Sequence, residues 1–158
     1  VSASRRDVDL RIRELNELKS CLQAFGNANC IEPALLAGVA SRESQGGALL
    51  DRNGYGDNGN GYGIMQCDVN TSGLDCTRYP PKSCEHLEMM SAFLIEKIKA
   101  VQRRRSSWTE PQQLQGGVAA YNHFPPSSFS QVDSRTTGRD YSNDVIARAK
   151  WLKDHYGF

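Results

Sequence analysis

Apolar residues recur at helical spacing in several segments, which are separated by glycine, proline and small polar residues. The first and third segments carry an apolar stripe between charged positions, as amphipathic helices do. The second is apolar nearly all round, so we expect a central, buried helix with Pro33 in its first turn. Thr109 is the expected N-cap of the fourth. The predicted helices cover about residues 5–25, 33–44, 86–105, 110–121 and 140–155.

A glycine-rich stretch interrupts the helical pattern over residues 45–61, where Asn and Asp are also frequent. This composition predicts turns and a hairpin. Residues 62–67 are predicted to form one short strand, and residues 70–84 and 124–128 are predicted to be loops. No repeat, linker or domain boundary is apparent, so we expect a single α+β domain, mainly α, over residues 1–158.

Composition narrows the choice of partners. The net charge of +1 gives no broad attraction to nucleic acid or anionic membranes, and no apolar run approaches the ~20 residues of a membrane span. The basic run Arg103–Arg105 is interpreted as a solvated helix end. The chain begins at Val1 without a signal-like segment, so we expect a processed or trimmed form.

The cysteine count indicates an oxidising compartment. There are five cysteines, so at least one is expected to lack a partner within the chain. Cys21 with Cys30 and Cys76 with Cys84 are the pairs closest in sequence, and the connectivity stays open at this stage.

Glu43 is the strongest catalytic candidate because it ends the apolar helix at the edge of the glycine-rich stretch. A glutamate in such a place is poorly solvated when charged, which raises its pKa and makes it a proton donor near neutral pH. The alternative is a helix-end glutamate that faces water or pairs with Arg42.

Asp57 and Asp68 lie within and just after the glycine-rich stretch. Most glycosidases use a general acid together with a second carboxylate. In an inverting enzyme the second carboxylate activates water, and the two carboxyl groups lie about 6.5–9.5 Å apart. The alternative for Asp57 is a turn residue that caps local amides, and the alternative for Asp68 is a strand-end or helix-capping role. The surrounding glycines would let a sugar chain approach the backbone.

Tyr121 and Asn122 put an aromatic ring and an amide together at a helix end. Tyrosine stacks on sugar faces and asparagine bonds sugar hydroxyls or N-acetyl groups. Tyr55, Tyr62 and Tyr141 are weaker candidates of the same kind. The alternative for each is core packing or helix capping.

Other chemistries find little support. No Cys-x-x-Cys occurs, which disfavours zinc. The loop that begins at Asp51 fails the calcium-loop template, because Tyr62 occupies the position of the bidentate glutamate. The three histidines stand in no nucleophile-elbow context.

The ordered set of segments resembles the goose-type lysozymes over nearly the whole chain. The matching segments are Cys30–Ala34, Ser41–Ser44, Gly56–Gly61, Met65–Gln66 with Asp68, Ser107–Thr109, Gln113–Leu114, Gly116–Gly117, Ala120–Asn122 and Asp140–Val145 with Ala147–Ala149.

The resemblance implies a lysozyme-like fold and hydrolysis of the β-1,4 bond between N-acetylmuramic acid and N-acetylglucosamine in peptidoglycan, with inversion. It assigns Glu43 as general acid, and Asp57 and Asp68 to positioning or activating water. The expected substrate-binding residues are Tyr121, Asn122, Tyr141, Gln66 and Tyr62. A secreted monomer without metal or cofactor is expected, with bacterial inhibitor proteins as possible partners.

Some positions depart from the family pattern. The Tyr-Asn pair is followed by His123–Pro126 where an Ala-Gly sequence is usual, and Ser72 stands in place of a frequent histidine. The loop after Asp68 is longer and carries two cysteines. The resemblance leaves Cys30 free or paired with Cys21. A lytic transglycosylase and a non-catalytic peptidoglycan- or chitin-binding protein are the alternative functions.

Overall fold

The computed structural model describes residues 1–158 and contains six α-helices and a small sheet. None of the helices has the length and apolar character needed to cross a bilayer. The helices are α1 (Ser2–Leu10), α2 (Ile12–Asn29), α3 (Pro33–Ser44), α4 (Cys84–Arg104), α5 (Glu110–Asn122) and α6 (Tyr141–Tyr156). This mainly helical α+β architecture confirms the predicted fold class.

The predicted N-terminal helix is divided into α1 and α2 at Arg11, whose φ of −117° and ψ of 17° are not helical. The prediction of one helix was wrong because the apolar positions keep their spacing across the break. The division lets α1 pack on α6 while α2 packs on α3 and α4. The Arg11 guanidinium donates to Gln45 Oε1 at 3.0 Å, which ties the break to the end of α3.

The α3 helix lies at the centre of the molecule, as its all-round apolar sequence predicts, and most of its residues are buried. It approaches α6 closely at Gly38, where a Cβ atom would lie 2.8 Å from the Val145 carbonyl oxygen. The α4 and α5 helices approach equally closely at Gly117, where a Cβ would lie 2.6 Å from the Ile98 Cα. These two contacts fix the walls between which the candidate site forms.

Three two-residue strands form an antiparallel sheet: β1 (Tyr55–Gly56), β2 (Gly61–Tyr62) and β3 (Cys67–Asp68). Gly61 pairs with both Gly56 and Asp68. The prediction of one strand over residues 62–67 was wrong, because the chain turns between β2 and β3. Gly63 and Gln66 have φ values of +80° and +53°, which no strand accommodates.

The disulfides differ from the sequence-close guesses. Cys21 pairs with Cys84, which joins α2 to α4, and Cys67 pairs with Cys76 across the loop that follows β3. Cys30 is exposed and free. The sequence-close guesses failed because Cys21 and Cys84 meet in space although they are 63 positions apart in the chain.

Candidate active site

A polar cleft of about 260 Å³ opens between the central helix and the sheet. The α5 and α6 helices supply its other walls. Its lining brings together Arg42, Glu43, Asp57, Asn60, Gly61, Gln66, Asp68, Tyr121, Asn122, Thr137 and Tyr141. All three carboxylates singled out from the sequence are therefore in one place, although they come from separate elements.

Glu43 occupies the last turn of α3 and is only partly exposed to the cleft. Burial raises its pKa to about 7, and the negative charge of Asp57 adds to this rise. The Tyr141 hydroxyl, which donates to Glu43 Oε1 at 2.5 Å, and the charge of Arg42 act in the opposite direction. Because burial outweighs both, a large fraction of the Glu43 carboxyl carries its proton near neutral pH.

Arg42 does not pair with its neighbour Glu43. Its guanidinium donates to Asp144 Oδ2 at 2.7 Å and to Asp140 Oδ1 at 3.2 Å, and both aspartates belong to the start of α6. The interpretation of Glu43 as an ordinary partner of Arg42 is therefore wrong. Two carboxylates compensate the arginine charge, which limits its effect on the Glu43 proton.

Asp57 and Asp68 are both exposed, on the sheet side of the cleft. Asp57 has a φ of +49°, and Asn58 and Gly59 continue in the left-handed region. Three such residues in succession form a tight turn, which presents Asp57 next to β1. The main-chain N–H groups of Asn70 and Thr71 donate to Asp68 Oδ1 at 2.8 and 3.0 Å.

These two hydrogen bonds, with the larger contribution from Asn70, hold the pKa of Asp68 below its usual value. Between the lowered pKa of Asp68 and the pKa of Glu43, Asp68 is therefore an ionised carboxylate while Glu43 is largely protonated. The cleft thus combines a protonated carboxyl with a charged one, which is an arrangement suited to acid–base hydrolysis.

Gln66 lies across the glycines of the sheet. Its Nε2 donates to the Gly63 carbonyl at 3.0 Å, and its side chain occupies the space that a Cβ would need at Gly56 and Gly61. The glycines are thus required for side-chain packing as well as for turns. Gln66 lines the cleft together with Asp57 and Asp68.

Tyr121 and Asn122 both line the cleft, from the last turn of α5. The Tyr121 hydroxyl donates to the Met65 carbonyl at 2.6 Å, which holds the turn between β2 and β3 against α5. The Asn122 side chain donates to Thr137 Oγ1 and accepts from the Thr137 N–H, at 3.3 and 3.0 Å. Each residue thus joins two walls of the cleft.

Tyr62 does not reach the cleft. It is 7% exposed, its ring packs edge-on against Tyr55 and His86, and its hydroxyl donates to the Tyr79 carbonyl at 3.1 Å. Its neighbour in β2, Gly61, lines the cleft, whereas Tyr62 does not. The expectation that Tyr62 binds sugar is therefore withdrawn, and its place is in the core.

A buried carboxylate that the sequence did not single out, Asp133, fixes the start of α6. Its oxygens accept from the N–H groups of Ser142 and Asn143 at 2.8 and 3.1 Å, and from the Ser142 hydroxyl at 2.8 Å. It acts as a capping residue from outside the helix. Asp133 lies eight positions before Tyr141, so no short-range capping pattern could have indicated it.

A second cavity of about 310 Å³ continues the cleft past Asp68 and Tyr121. Its lining includes Phe93, Lys97 and Phe124, and Phe124 belongs to the segment His123–Pro126 that departs from the family pattern. The guanidinium groups of Arg104 and Arg105 lie 5.0 and 5.4 Å from the Phe124 ring, which holds that ring in place. The segment His123–Pro126 therefore forms one wall of an extended groove.

No group of three His, Cys, Asp or Glu side chains is placed to hold a metal ion.

Comparison with known proteins agrees with this geometry. A family profile described as Lysozyme g matches residues 1–156. The lysozymes g of Struthio camelus and Gallus gallus are 41% and 40% identical to the chain over 98% of its length, which corresponds to 75% and 72% of those proteins. A "Glycine, glutamate and proline-rich protein" of Lottia gigantea is 44% identical over the whole chain, which spans only 39% of that protein.

The fold and the carboxylate-lined cleft define a lysozyme-like hydrolase. The profile match and the avian relatives show that the chain belongs to the lysozyme g family. It is accordingly a lysozyme, an enzyme whose substrate is peptidoglycan.

Proposed function

We propose that the chain cleaves the β-1,4 bond between N-acetylmuramic acid and N-acetylglucosamine with inversion, with Glu43 as general acid. The observation that carries this proposal is the pKa of about 7 that burial gives Glu43 in a cleft shared with Asp57 and Asp68. A carboxyl that keeps its proton near neutral pH can give it to the leaving glycosidic oxygen.

Asp57 and Asp68 are proposed to hold and activate the attacking water. They face the cleft from the sheet, whereas Glu43 faces it from α3, so water can be held on the side of the sugar away from the acid. Asp57 is near enough for its charge to raise the pKa of Glu43. The main-chain hydrogen bonds to Asp68 favour its ionised form, and accepting a proton from water requires an ionised group.

Sugar binding is proposed for Tyr121, Asn122, Gln66 and Tyr141, which all line the cleft. Tyr141 is 1% exposed and its hydroxyl is bonded to Glu43, so it acts mainly by orienting the acid. Burial keeps the pKa of the Tyr141 hydroxyl well above its usual value, so it remains a hydrogen-bond donor throughout the working pH range.

The alternative functions differ in their use of water. A lytic transglycosylase needs an acid but no carboxylate to activate water, and a binding module needs neither. The presence of two further carboxylates in the cleft favours hydrolysis. Mass spectrometry of fragments released from purified peptidoglycan separates the three, since hydrolysis gives hydrated muropeptides and transglycosylation gives fragments lighter by one water.

The test of Glu43 is the isosteric Glu43→Gln variant, with Glu17→Gln as the matched control. Glu17 is exposed on α2, outside the cleft. We expect Glu43→Gln to bind peptidoglycan as the wild type does. Its rate of muropeptide release is expected to be ~10²- to 10⁴-fold lower. Wild-type lysis by Glu43→Gln would refute the assignment of the acid.

The two aspartates are tested by Asp57→Asn and Asp68→Asn, with the exposed Asp154→Asn on α6 as control. Loss of kcat with binding retained is expected for at least one cleft variant. NMR of the first-formed anomer reports the stereochemistry, and retention would exclude direct attack by water.

Secretion is proposed because two disulfides are formed, which is typical of proteins in oxidising compartments. A monomer is proposed because the cleft is complete within one chain. Bacterial inhibitors of this lysozyme type remain proposed partners. Size-exclusion chromatography with light scattering tests the monomer, and a mass twice that of the chain would contradict it.

A further inference from the structure

Asp68 stands on a part of the chain that has little packing of its own. The β3 strand that carries it has two residues, and Val69, Asn70 and Thr71 after it are exposed. Its carboxylate direction depends on the turn that follows, through the Asn70 and Thr71 amides, and the Ser72 N–H closes the same turn on the Asp68 carbonyl at 3.1 Å.

The Cys67–Cys76 disulfide is the principal anchor of this turn. Cys67 is 0% exposed and Cys76 is 4% exposed, whereas the residues between them are exposed or only partly buried. The bond joins the residue directly before Asp68 to the middle of the loop between β3 and α4, across nine positions. Ser72 Oγ lies 3.5 and 3.4 Å from the two sulfurs, so the turn is packed on the disulfide.

We propose that the Cys67–Cys76 disulfide is a positioning element of the active site, which holds the turn that aims the Asp68 carboxylate into the cleft. This inference rests on the proposed role of Asp68. Without the bond, the mostly exposed residues between Asp68 and Cys76 are held mainly by hydrogen bonds, and Asp68 leaves its working position for part of the time. A displacement of about 1 Å at a reacting group can reduce a rate about 10²-fold.

The other disulfide provides a matched control. Cys21–Cys84 joins α2 to the start of α4, and neither cysteine lines the cleft or its extension. Its removal is expected to affect the stability of the helical body, without a specific effect on Asp68. The two disulfides thus separate a positioning role from a general contribution to folding.

The experiment compares the Cys67→Ala/Cys76→Ala and Cys21→Ala/Cys84→Ala pairs with wild type, each at a temperature well below its own melting transition. For the first pair we expect kcat on peptidoglycan to fall about 10- to 100-fold while KM changes less, and for the control pair kcat is expected to stay within about twofold. If the alanine pair does not fold, a Cys67→Ser/Cys76→Ser pair, which can keep the contact with Ser72, is measured instead.

A titration of Asp68 followed by carbon NMR gives a readout independent of activity. Loss of the Asn70 and Thr71 hydrogen bonds raises the pKa of Asp68 towards its usual value in the first pair only. An unchanged Asp68 titration, or an unchanged kcat, in the first pair would overturn the positioning role. If the Asp68 titration shifts as expected in the first pair but the Asp68→Asn variant keeps the wild-type kcat, the role of Asp68 in the proposed reaction is overturned instead.

Discussion

The hydrogen bond from the Tyr141 hydroxyl to Glu43 makes a sharp prediction about pH dependence. The hydroxyl donates to Oε1 at 2.5 Å in a site where Tyr141 is 1% exposed, and it favours the charged form of the acid. Removing it by Tyr141→Phe leaves the ring, and its contact with the Arg42 guanidinium 5.3 Å away, in place. The change therefore isolates one hydrogen bond.

Its magnitude follows from the difference between two states of the acceptor. A hydrogen bond to a charged group contributes about 1.5–3 kcal/mol and one to a neutral group about 0.5–1.5 kcal/mol, so the charged carboxylate loses about 1–1.5 kcal/mol more than the neutral acid. At about 1.4 kcal/mol per tenfold change, this corresponds to about one pH unit. We expect the alkaline limb of the kcat/KM profile, set by a Glu43 pKa of about 7, to move up by that amount in Tyr141→Phe.

The assay is the initial rate of soluble muropeptide release across pH 4–10. Tyr156→Phe is the control, because that hydroxyl donates to Asp9 outside the cleft. The absolute rate of Tyr141→Phe is expected to fall, since the acid is less well oriented, while its profile widens towards high pH. An alkaline limb that stays in place or moves to lower pH would refute the reasoning, because the hydroxyl would then not favour the charged form.

Three further perturbations test separate parts of the structure. The pKa of Glu43 is raised from 4.5 to about 7, so its stabilising contribution is complete below pH 4.5 and is lost as the pH rises through 7. We therefore expect Glu43→Gln to be more stable than the wild type by up to about 3 kcal/mol at pH 8.5 and equally stable at pH 4. Thermal unfolding at the two pH values measures this difference. The reverse sign holds for His86, because burial lowers its pKa from 6.5 to about 4. The wild type should lose up to about 3 kcal/mol relative to His86→Gln between pH 6.5 and 4 in chemical denaturation, and a constant difference would contradict a neutral buried imidazole. Phe124→Ala should raise KM on peptidoglycan about tenfold with kcat nearly unchanged, whereas Phe129→Ala, outside the groove, should leave KM unchanged.

The sequence was a good guide to the positions of most helices and to the carboxylates that meet in the cleft. The all-apolar stretch that begins at Pro33 can only be satisfied by burial on every side, so the central position of α3 follows from hydrophobic patterning. Asp57 and Asp68 flank a run of glycines that had to turn, and a turn next to a helix end brings them to Glu43. Each of these inferences depends on residues close together in the chain.

The errors arose where distant segments decide the outcome. The break at Arg11 serves packing against α6 and a hydrogen bond to Gln45, neither of which periodicity can indicate. The capping of α6 by Asp133 likewise depends on a contact outside local sequence range. For Tyr62, contacts with the ring of His86 and with the Tyr79 carbonyl, both distant in sequence, place the side chain in the core.

The adjacent pair Arg42–Glu43 shows how the fold separates two neighbouring residues of opposite charge and leaves Glu43 with a raised pKa. Consecutive residues of a helix do not face each other, so Arg42 points towards α6 while Glu43 points into the cleft. The two carboxylates of Asp140 and Asp144 then engage the arginine, and Asp144 is itself held by Arg148 at 2.9 Å. An arginine free to turn to Glu43 would hold the acid in its charged form, because an opposite charge within a few ångströms lowers a carboxyl pKa. Burial is the largest cause of the raised pKa of Glu43, and the α6 aspartates help to preserve it because they engage Arg42.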